Sequence, residues 1–248
     1  MVHRHTEKVE TVDPEEFAKF NLVDTYNKAK DIYPTFTEGD EGRQRALDWA
    51  MLELKSLVQS GNDQTSSNGA RVPADIYCVD IGCAHGQPVV QIFAEQGFEV
   101  TGVDISNGLL DQARRNLAYL PNAHFELADM RDWSPAPTRA DGNVDCIFTF
   151  YVFGHLPLVD YEAMVAKMAG WLRPKTGILV LATVAQMHGW VTTRAATFPS
   201  TSLTIQENTA LLERNGCEVV RAWEEEWSSK TMATEDSRTH QFICARRK

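Results

Sequence analysis

The stretch Asp80-Ile81-Gly82-Cys83-Ala84-His85-Gly86 determines the fold class that this sequence predicts. A β-rich apolar run at 76–79 precedes it, residues 88–96 have a helical pattern, and a second apolar run follows at 98–103. Strand, glycine turn, helix and strand in this order form a βαβ unit of the kind that binds nucleotides. The stretch therefore predicts a ligand site at the end of the first strand.

Two carboxylates indicate which ligand the turn accepts. Asp80 ends the first strand, and Asp104 ends the second, where an acid is placed to accept hydrogen bonds from ribose hydroxyls. A dinucleotide would need a G-x-G-x-x-G turn for its pyrophosphate, whereas Gly82, Ala84 and Gly86 form G-x-A-x-G. Asp80 would also repel a pyrophosphate. S-adenosylmethionine fits better, because it is cationic and has free ribose hydroxyls but no phosphate.

At this point the sequence resembles the class I S-adenosylmethionine-dependent methyltransferases, whose first motif is commonly written acidic-x-G-x-G-x-G. Asp80, Gly82 and Gly86 match that motif. Ala84 replaces the middle glycine, so the loop is expected to sit slightly further out or to adopt a φ that alanine tolerates. The resemblance runs from about residue 74 to the C-terminus and implies S-adenosylmethionine as the cofactor.

The resemblance also implies roles for residues that follow the later strands. The acid after the second strand binds the ribose, which places Asp104 there with Ile105 beside it. A later acid contacts the adenine amino group, which points to Asp129, with Met130 beside the ring. The implied cofactor-binding set is Asp80, Gly82, Ala84, Gly86, Asp104, Ile105, Asp129, Met130, Phe150 and, from the N-terminal part, Tyr26.

Strand and helix patterns alternate from residue 74 onward, which predicts an α/β fold with a mainly parallel sheet covered by helices on both faces. The resemblance implies a Rossmann-like sheet of seven strands in the order 3-2-1-4-5-7-6, with the last strand antiparallel. The strand candidates are 76–80, 98–103, 124–127, 144–150, 177–182, 218–223 and 241–245. The helix candidates are 88–96, 109–117, 161–171 and 205–215.

The N-terminal part, 1–70, is predicted to be separate from a methyltransferase domain at 71–248. A polar Gly/Ser/Asn tract at 60–69 indicates a linker or mobile loop. The part is too small for a substantial core, so we expect a helical lid over the open end of the sheet. Tyr26 and Tyr33 either close over the cofactor or acceptor there or pack in a core. Its two amphipathic helix candidates are 17–30 and 45–58.

Composition excludes several classes of partner. The chain has 248 residues and a formal net charge of −10, and it has no basic stripe, so nucleic acid is not expected to bind. No apolar run approaches membrane-spanning length and the N-terminus is polar, so we expect no membrane partner and a cytoplasmic location. Five scattered cysteines lack ligand spacing, so no disulfide framework or metal site is expected. The sequence does not indicate the oligomeric state.

The acceptor pocket is expected at the carboxyl ends of the strands, formed by the loops 151–155 and 183–194 and by the lid. The second loop mixes aromatic, sulfur-containing and amide side chains, which suits a mostly apolar organic acceptor. His155 and His188 have the pKa range of a general base, and Tyr151 could orient an acceptor. The alternatives are a His155 that caps backbone groups and a His188 that is merely solvated.

We therefore predict an enzyme that transfers methyl from S-adenosylmethionine to an oxygen or nitrogen of a small organic molecule, in the manner of enzymes that tailor secondary metabolites. A second hypothesis keeps the cofactor pocket but has it catalyse a rearrangement or cyclisation without methyl transfer. A third is a nicotinamide oxidoreductase, and a fourth is a non-catalytic partner subunit.

Overall fold

The computed structural model describes residues 12, 14–29, 40–59, 71–135, 143–185, 187, 189–192, 197–228 and 237–248. The predicted polar tract at 60–69 and Tyr33 lie outside these residues. The helices are α1 Pro14–Lys19, α2 Leu22–Ala29, α3 Glu41–Gln59, α4 Val89–Glu95, α5 Asn107–Asn116, α6 Leu158–Trp171 and α7 Ile205–Arg214. The strands are β1 Tyr77–Ile81, β2 Glu99–Asp104, β3 Ala123–Leu127, β4 Cys146–Phe150, β5 Ile178–Val184, β6 Gly189–Thr192, β7 Thr197–Ser200, β8 Cys217–Ser228 and β9 Ser237–Arg247.

Seven strands form one sheet in the order β3-β2-β1-β4-β5-β9-β8. The first five pair in parallel, whereas β9 runs antiparallel to both β5 and β8. Because β6 and β7 form a separate sheet, β8 and β9 are the sixth and seventh strands of the large one, so this topology confirms the predicted order 3-2-1-4-5-7-6 and the antiparallel last strand. The order reverses between β1 and β4, which is where ligands bind in open α/β sheets.

The inner strands are apolar because helices cover both faces of the sheet. On one face Phe148 of β4 and Phe93 of α4 pack with their ring centroids 4.5 Å apart. On the other face Ile147 of β4 packs in a cluster that contains Tyr161 and Met164 of α6. Consecutive residues of one strand thus enter different cores, which is the two-residue alternation of a strand buried on both faces.

Helix α3 differs from the expectation for the N-terminal part. Ala46, Ala50 and Leu54 are fully buried, and the helix packs against β5 and β9. Glu53 of α3 also pairs with Arg246 of β9 at 2.6 Å. Helix α3 therefore covers a face of the sheet, and of the described N-terminal helices only α1 and α2 lie over the open edge. The domain division at residue 70 stays a prediction.

The loop predicted after the fifth strand contains a small hairpin. Strands β6 and β7 pair antiparallel with Val191 opposite Phe198. Neither strand was predicted, because a strand of four residues is too short to show a clear alternation of apolar and polar residues. The large apolar side chain of Trp190 in β6 is also 51% exposed. The ring of Phe198 contacts His155 edge-on at 4.7 Å, so the hairpin lies beside the end of β4.

Candidate active site

The glycine turn after β1 is held by backbone geometry and by one acid. Gly82 has a φ of 77°, and a Cβ placed there would lie 2.7 Å from the Val152 side chain. Ala84 also adopts a left-handed φ, 49°, which costs a non-glycine residue about 1–2 kcal/mol. The N–H of Ala84 donates to Asp104 at 2.9 Å. This bond offsets the strain and explains how alanine is accommodated at the middle position.

Asp104 lies at the end of β2 with its carboxylate on the cavity wall. It accepts from the N–H of Ala84 at 2.9 Å and from the N–H of Ser106 at 2.8 Å. Burial raises the pKa of Asp104, and these backbone donors oppose the rise. A carboxylate has roughly four acceptor positions, so capacity remains for hydroxyl donors from a ligand.

Asp80 lies behind the turn and outside the described cavity wall. It is 4% exposed. Burial raises its pKa to about 8, with a further contribution from the charge of Asp104, while Arg43 opposes both. Its predicted contact with the cofactor stays a prediction. Gly86 is also absent from the described wall, and it packs against Leu117 and Phe125.

Asp129 is engaged by a residue that the sequence did not identify as functional. Its carboxylate accepts from Arg131 Nη2 at 2.6 Å and from the Arg131 backbone N–H at 2.9 Å. Burial acts to raise the pKa of Asp129, but the bonds from Arg131 outweigh burial and lower it. Arg131 also reaches Asp160 at 3.1 Å. The sequence signal that could have identified Arg131 is its position two residues after Asp129 in a turn.

Tyr26 and His155 form a pair inside the cavity. The Tyr26 hydroxyl and His155 Nε2 are 2.5 Å apart, and the rings meet edge-on at 5.3 Å. Burial lowers the pKa of His155 to about 4, so the imidazole is neutral at pH 7. His155 Nδ1 is buried and has no hydrogen-bond partner in the described part of the chain. Tyr26, predicted to bind the cofactor, thus contacts the predicted base.

Helix α2, which carries Tyr26, is fastened to the sheet domain. The side-chain oxygen of Asn27 accepts from Ser106 Oγ at 2.7 Å and from the N–H of Gly108 at 3.1 Å. Both donors lie at the start of α5, directly after Asp104. The same segment therefore places the acid and holds the helix that carries Tyr26.

Tyr151 lines the cavity, but its hydroxyl is already engaged. It donates to Asp40, and it lies 2.9 Å from His240 Nδ1. Burial lowers the pKa of His240 to about 4, although Asp40 opposes this. The bonds tie the end of β4 to the start of α3. The expectation that Tyr151 orients an acceptor stays a prediction, and in the structure its hydroxyl is hydrogen-bonded within the protein.

The two remaining predicted residues are Phe150 and His188. The ring of Phe150 stacks with that of Phe148, with centroids 6.4 Å apart, and is not part of the described cavity wall. His188 lies outside the described residues. Within the described chain no cluster of His, Cys, Asp and Glu side chains could hold a metal ion, and no helix is long and apolar enough to span a membrane.

The glycine turn, Asp104, Asp129 and the Tyr26–His155 pair surround a cavity of about 500 Å³. It lies at the carboxyl ends of β1, β2 and β4, beneath α1 and α2. That volume is within the range of small-ligand sites, about 300–1,000 Å³. Of the predicted site residues, those on its wall are Tyr26, Gly82, Ala84, Asp104, Ile105, Asp129, Met130, Tyr151 and His155. Sequence reasoning missed the wall residues Phe17, Phe20, Asn21, Leu22, Val23, Arg131, Val159, Asp160 and Pro199 as site residues.

A sheet in this order, with a glycine turn after β1 and an acid after β2, has the architecture of class I S-adenosylmethionine-dependent methyltransferases. Residues 78–175 match the family model described as a methyltransferase domain.

Sequence and structure comparisons agree with this assignment. Trans-aconitate 2-methyltransferase of Delftia acidovorans (strain DSM 14801 / SPH-1) is 32% identical over 140 residues, which are 54% of this chain and 48% of that relative. The match thus spans about half of the relative's length.

Two solved structures share the fold. Magnesium protoporphyrin IX methyltransferase from Synechocystis PCC 6803, with bound S-adenosylmethionine, has a TM-score of 0.60 and 19% identity, covering 96% of this chain and 98% of that chain. Burkholderia thailandensis 1,6-didemethyltoxoflavin-N1-methyltransferase, with its acceptor and S-adenosylhomocysteine bound, has a TM-score of 0.64 and 16% identity, covering 97% of this chain and 93% of that chain.

Proposed function

We propose that this chain transfers a methyl group from S-adenosylmethionine to an oxygen or nitrogen of a small organic molecule. The observation that carries the proposal is the single wall shared by Asp104 and the Tyr26–His155 pair. A carboxylate that can accept hydrogen bonds from ribose hydroxyls and a neutral imidazole that can accept a proton thus face the same cavity. We extend the proposal to a cytoplasmic enzyme of secondary metabolism.

In the proposed complex Asp104 accepts from the ribose hydroxyls, and the turn at 82–86 passes the amino acid moiety of the cofactor. Ile105 and Met130 lie on the same wall and supply apolar contact for the adenosine. Asp129 keeps the predicted contact with the adenine amino group. Its carboxylate would then accept hydrogen bonds from both the adenine and Arg131. Phe150 lies outside the described wall, so its predicted contact would require rearrangement.

Methyl transfer is an in-line displacement. The acceptor atom forms a bond to the methyl carbon while the bond from that carbon to sulfur breaks, and S-adenosylhomocysteine leaves. The enzyme contributes mainly by holding the acceptor close to the methyl group and by excluding water. The acceptor proton passes to Tyr26 as the Tyr26 proton passes to His155 Nε2. Burial lowers the pKa of His155 to about 4, so the imidazole is neutral at pH 7 and has a lone pair for this proton, although the same burial makes it a weaker base.

The test is transfer of label from methyl-tritiated S-adenosylmethionine to a panel of small phenols, alcohols and amines, with S-adenosylhomocysteine measured in the same reactions. We expect labelled product and S-adenosylhomocysteine in equal amounts. The Asp104→Ala variant is the control and should transfer little label. Product formed without S-adenosylhomocysteine would instead support the rearrangement or cyclisation hypothesis.

A second candidate acceptor is trans-aconitate, because a curated relative is a trans-aconitate 2-methyltransferase. That relative is matched over 48% of its length, so its substrate is only a proposal for this chain. Trans-aconitate is included in the panel, and its methylation in preference to the phenols would establish this second candidate.

A further inference from the structure

The charges on the cavity wall restrict which acceptor the site can hold. Among the described wall residues, the sole guanidinium or ammonium group belongs to Arg131. It pairs with Asp129 at 2.6 Å and with Asp160 at 3.1 Å. Both partners lie on the same wall, so the positive charge of Arg131 is balanced before any ligand arrives.

The remaining ionisable groups make the wall acidic. Asp104 adds a third carboxylate, and burial together with the charge of Asp104 raises the pKa of Asp80 behind it to about 8, so Asp80 adds little negative charge at neutral pH. His155 contributes no positive charge at neutral pH, because burial lowers its pKa to about 4. The described wall therefore has three carboxylates against one guanidinium.

An acceptor with a free carboxylate would be poorly recognised by such a wall. Proteins bind carboxylates through cationic or N–H donors, most strongly through bidentate arginine. Here the one guanidinium is occupied, and a buried carboxylate without partners is costly. It would also be repelled by the three carboxylates of the wall.

Beside these charged groups the wall has an apolar part. Phe17 of α1, Phe20 between α1 and α2, Val23 of α2 and Val159 of α6 line the cavity there. Val159 is 69% exposed, which places it at the rim. Trp190 of β6 meets the Phe20 ring edge-on at 6.0 Å and extends this apolar rim. Such a surface suits the body of an apolar molecule.

We infer that the acceptor is an uncharged, largely apolar molecule that presents one hydroxyl or amine to the Tyr26–His155 pair, and that the site discriminates against carboxylates. This inference rests on the proposed function, since it names the acceptor class of the same site. It also separates this chain from the trans-aconitate substrate of its curated relative, because trans-aconitate is a tricarboxylate.

The experiment uses two pairs of ligands, in each of which a carboxylate is compared with its neutral methyl ester. The pairs are trans-aconitate with its trimethyl ester and 4-hydroxybenzoate with its methyl ester. Each ligand is titrated calorimetrically into the full chain saturated with S-adenosylhomocysteine. We expect the neutral member of each pair to bind at least ~10-fold more tightly, which corresponds to ~1.4 kcal/mol.

Two variants test whether the charge of the cavity wall causes the preference for the ester. Val159→Arg places a guanidinium at the rim and should reduce or reverse the preference for the ester. Leu52→Arg adds the same charge on the exposed face of α3, at a position 71% exposed and outside the cavity wall, and should leave the preference unchanged.

Equal or tighter binding of the acid in either pair would overturn the inference, and so would the absence of binding by both esters. The preceding titration with S-adenosylhomocysteine keeps the two proposals apart. If S-adenosylhomocysteine does not bind, the proposed function fails. If it binds and the acids are preferred, only the acceptor class is wrong.

Discussion

Replacing Asp104 with alanine removes the carboxylate that we assign to the ribose of the cofactor. In the structure this carboxylate accepts from the N–H groups of Ala84 and Ser106, at 2.9 and 2.8 Å, and has acceptor capacity left for ribose hydroxyls. Hydrogen bonds to charged groups contribute about 1.5–3 kcal/mol each. We therefore expect the affinity for S-adenosylhomocysteine to fall by about 10- to 150-fold.

The assay is calorimetric titration of S-adenosylhomocysteine into the variants, with urea unfolding to verify that each is folded. Asp104→Asn keeps one acceptor oxygen and should lose less affinity than Asp104→Ala. Asp111→Ala is the matched control, because Asp111 lies on the surface of α5, pairs only with side chains of that helix among the contacts described, and is absent from the cavity wall. An unchanged affinity in a folded Asp104→Ala protein would refute the assignment.

Three further perturbations test other parts of the account. Burial raises the pKa of Asp80 from 3.8 to about 8, so the folded protein retains a proton that the unfolded chain loses across this interval. The free energy of unfolding should therefore fall as pH rises from 3.8 to about 8. Asp80→Asn should reduce this pH dependence in urea titrations at several pH values, and an unchanged pH dependence would contradict the burial argument. Tyr26→Phe and His155→Gln should each lower kcat by about 10²–10⁴-fold while S-adenosylhomocysteine affinity stays within a few-fold, measured by label transfer and calorimetry, and wild-type kcat in both would exclude the proposed proton path. Phe148→Ala should cost about 3–5 kcal/mol of unfolding free energy in urea, because its ring is fully buried against Phe93, and a loss below about 1 kcal/mol would show that the site collapses around the change.

The sheet was predictable because its signals are local. Strands such as β1, β4 and β5 are buried on both faces and appear in the sequence as continuous apolar runs. The turn at 82–86 follows β1 directly and Asp104 ends β2, so strand ends and ligand-facing residues were identified together. The family resemblance then supplied the strand order, which periodicity does not contain.

Helix α3 shows where pattern reasoning stops. Its amphipathic spacing correctly predicted a helix but does not specify which apolar surface the helix covers. Leu47 and Leu54 could equally have faced a cavity or a sheet, and the packing against β5 and β9 decides between them. The hairpin of β6 and β7 was missed for a related reason, because four-residue strands show too little alternation.

The chemistry of the site depends on contacts between distant parts of the chain. Tyr26 and His155 are 129 positions apart, and no local pattern joins them. The same holds for Tyr151, whose hydroxyl donates to Asp40, 111 positions earlier in the chain. Arg131 was overlooked because its function lies in neutralising Asp129 and Asp160, which only the folded arrangement brings to one guanidinium.

The most direct test of the central claim is equilibrium binding to the unmodified chain. S-adenosylmethionine, S-adenosylhomocysteine and NAD are titrated separately by calorimetry at pH 7. We predict saturable 1:1 binding of the first two and no measurable binding of NAD, because the G-x-A-x-G turn does not suit a pyrophosphate. Tighter binding of NAD, or no binding of S-adenosylmethionine, would contradict the account.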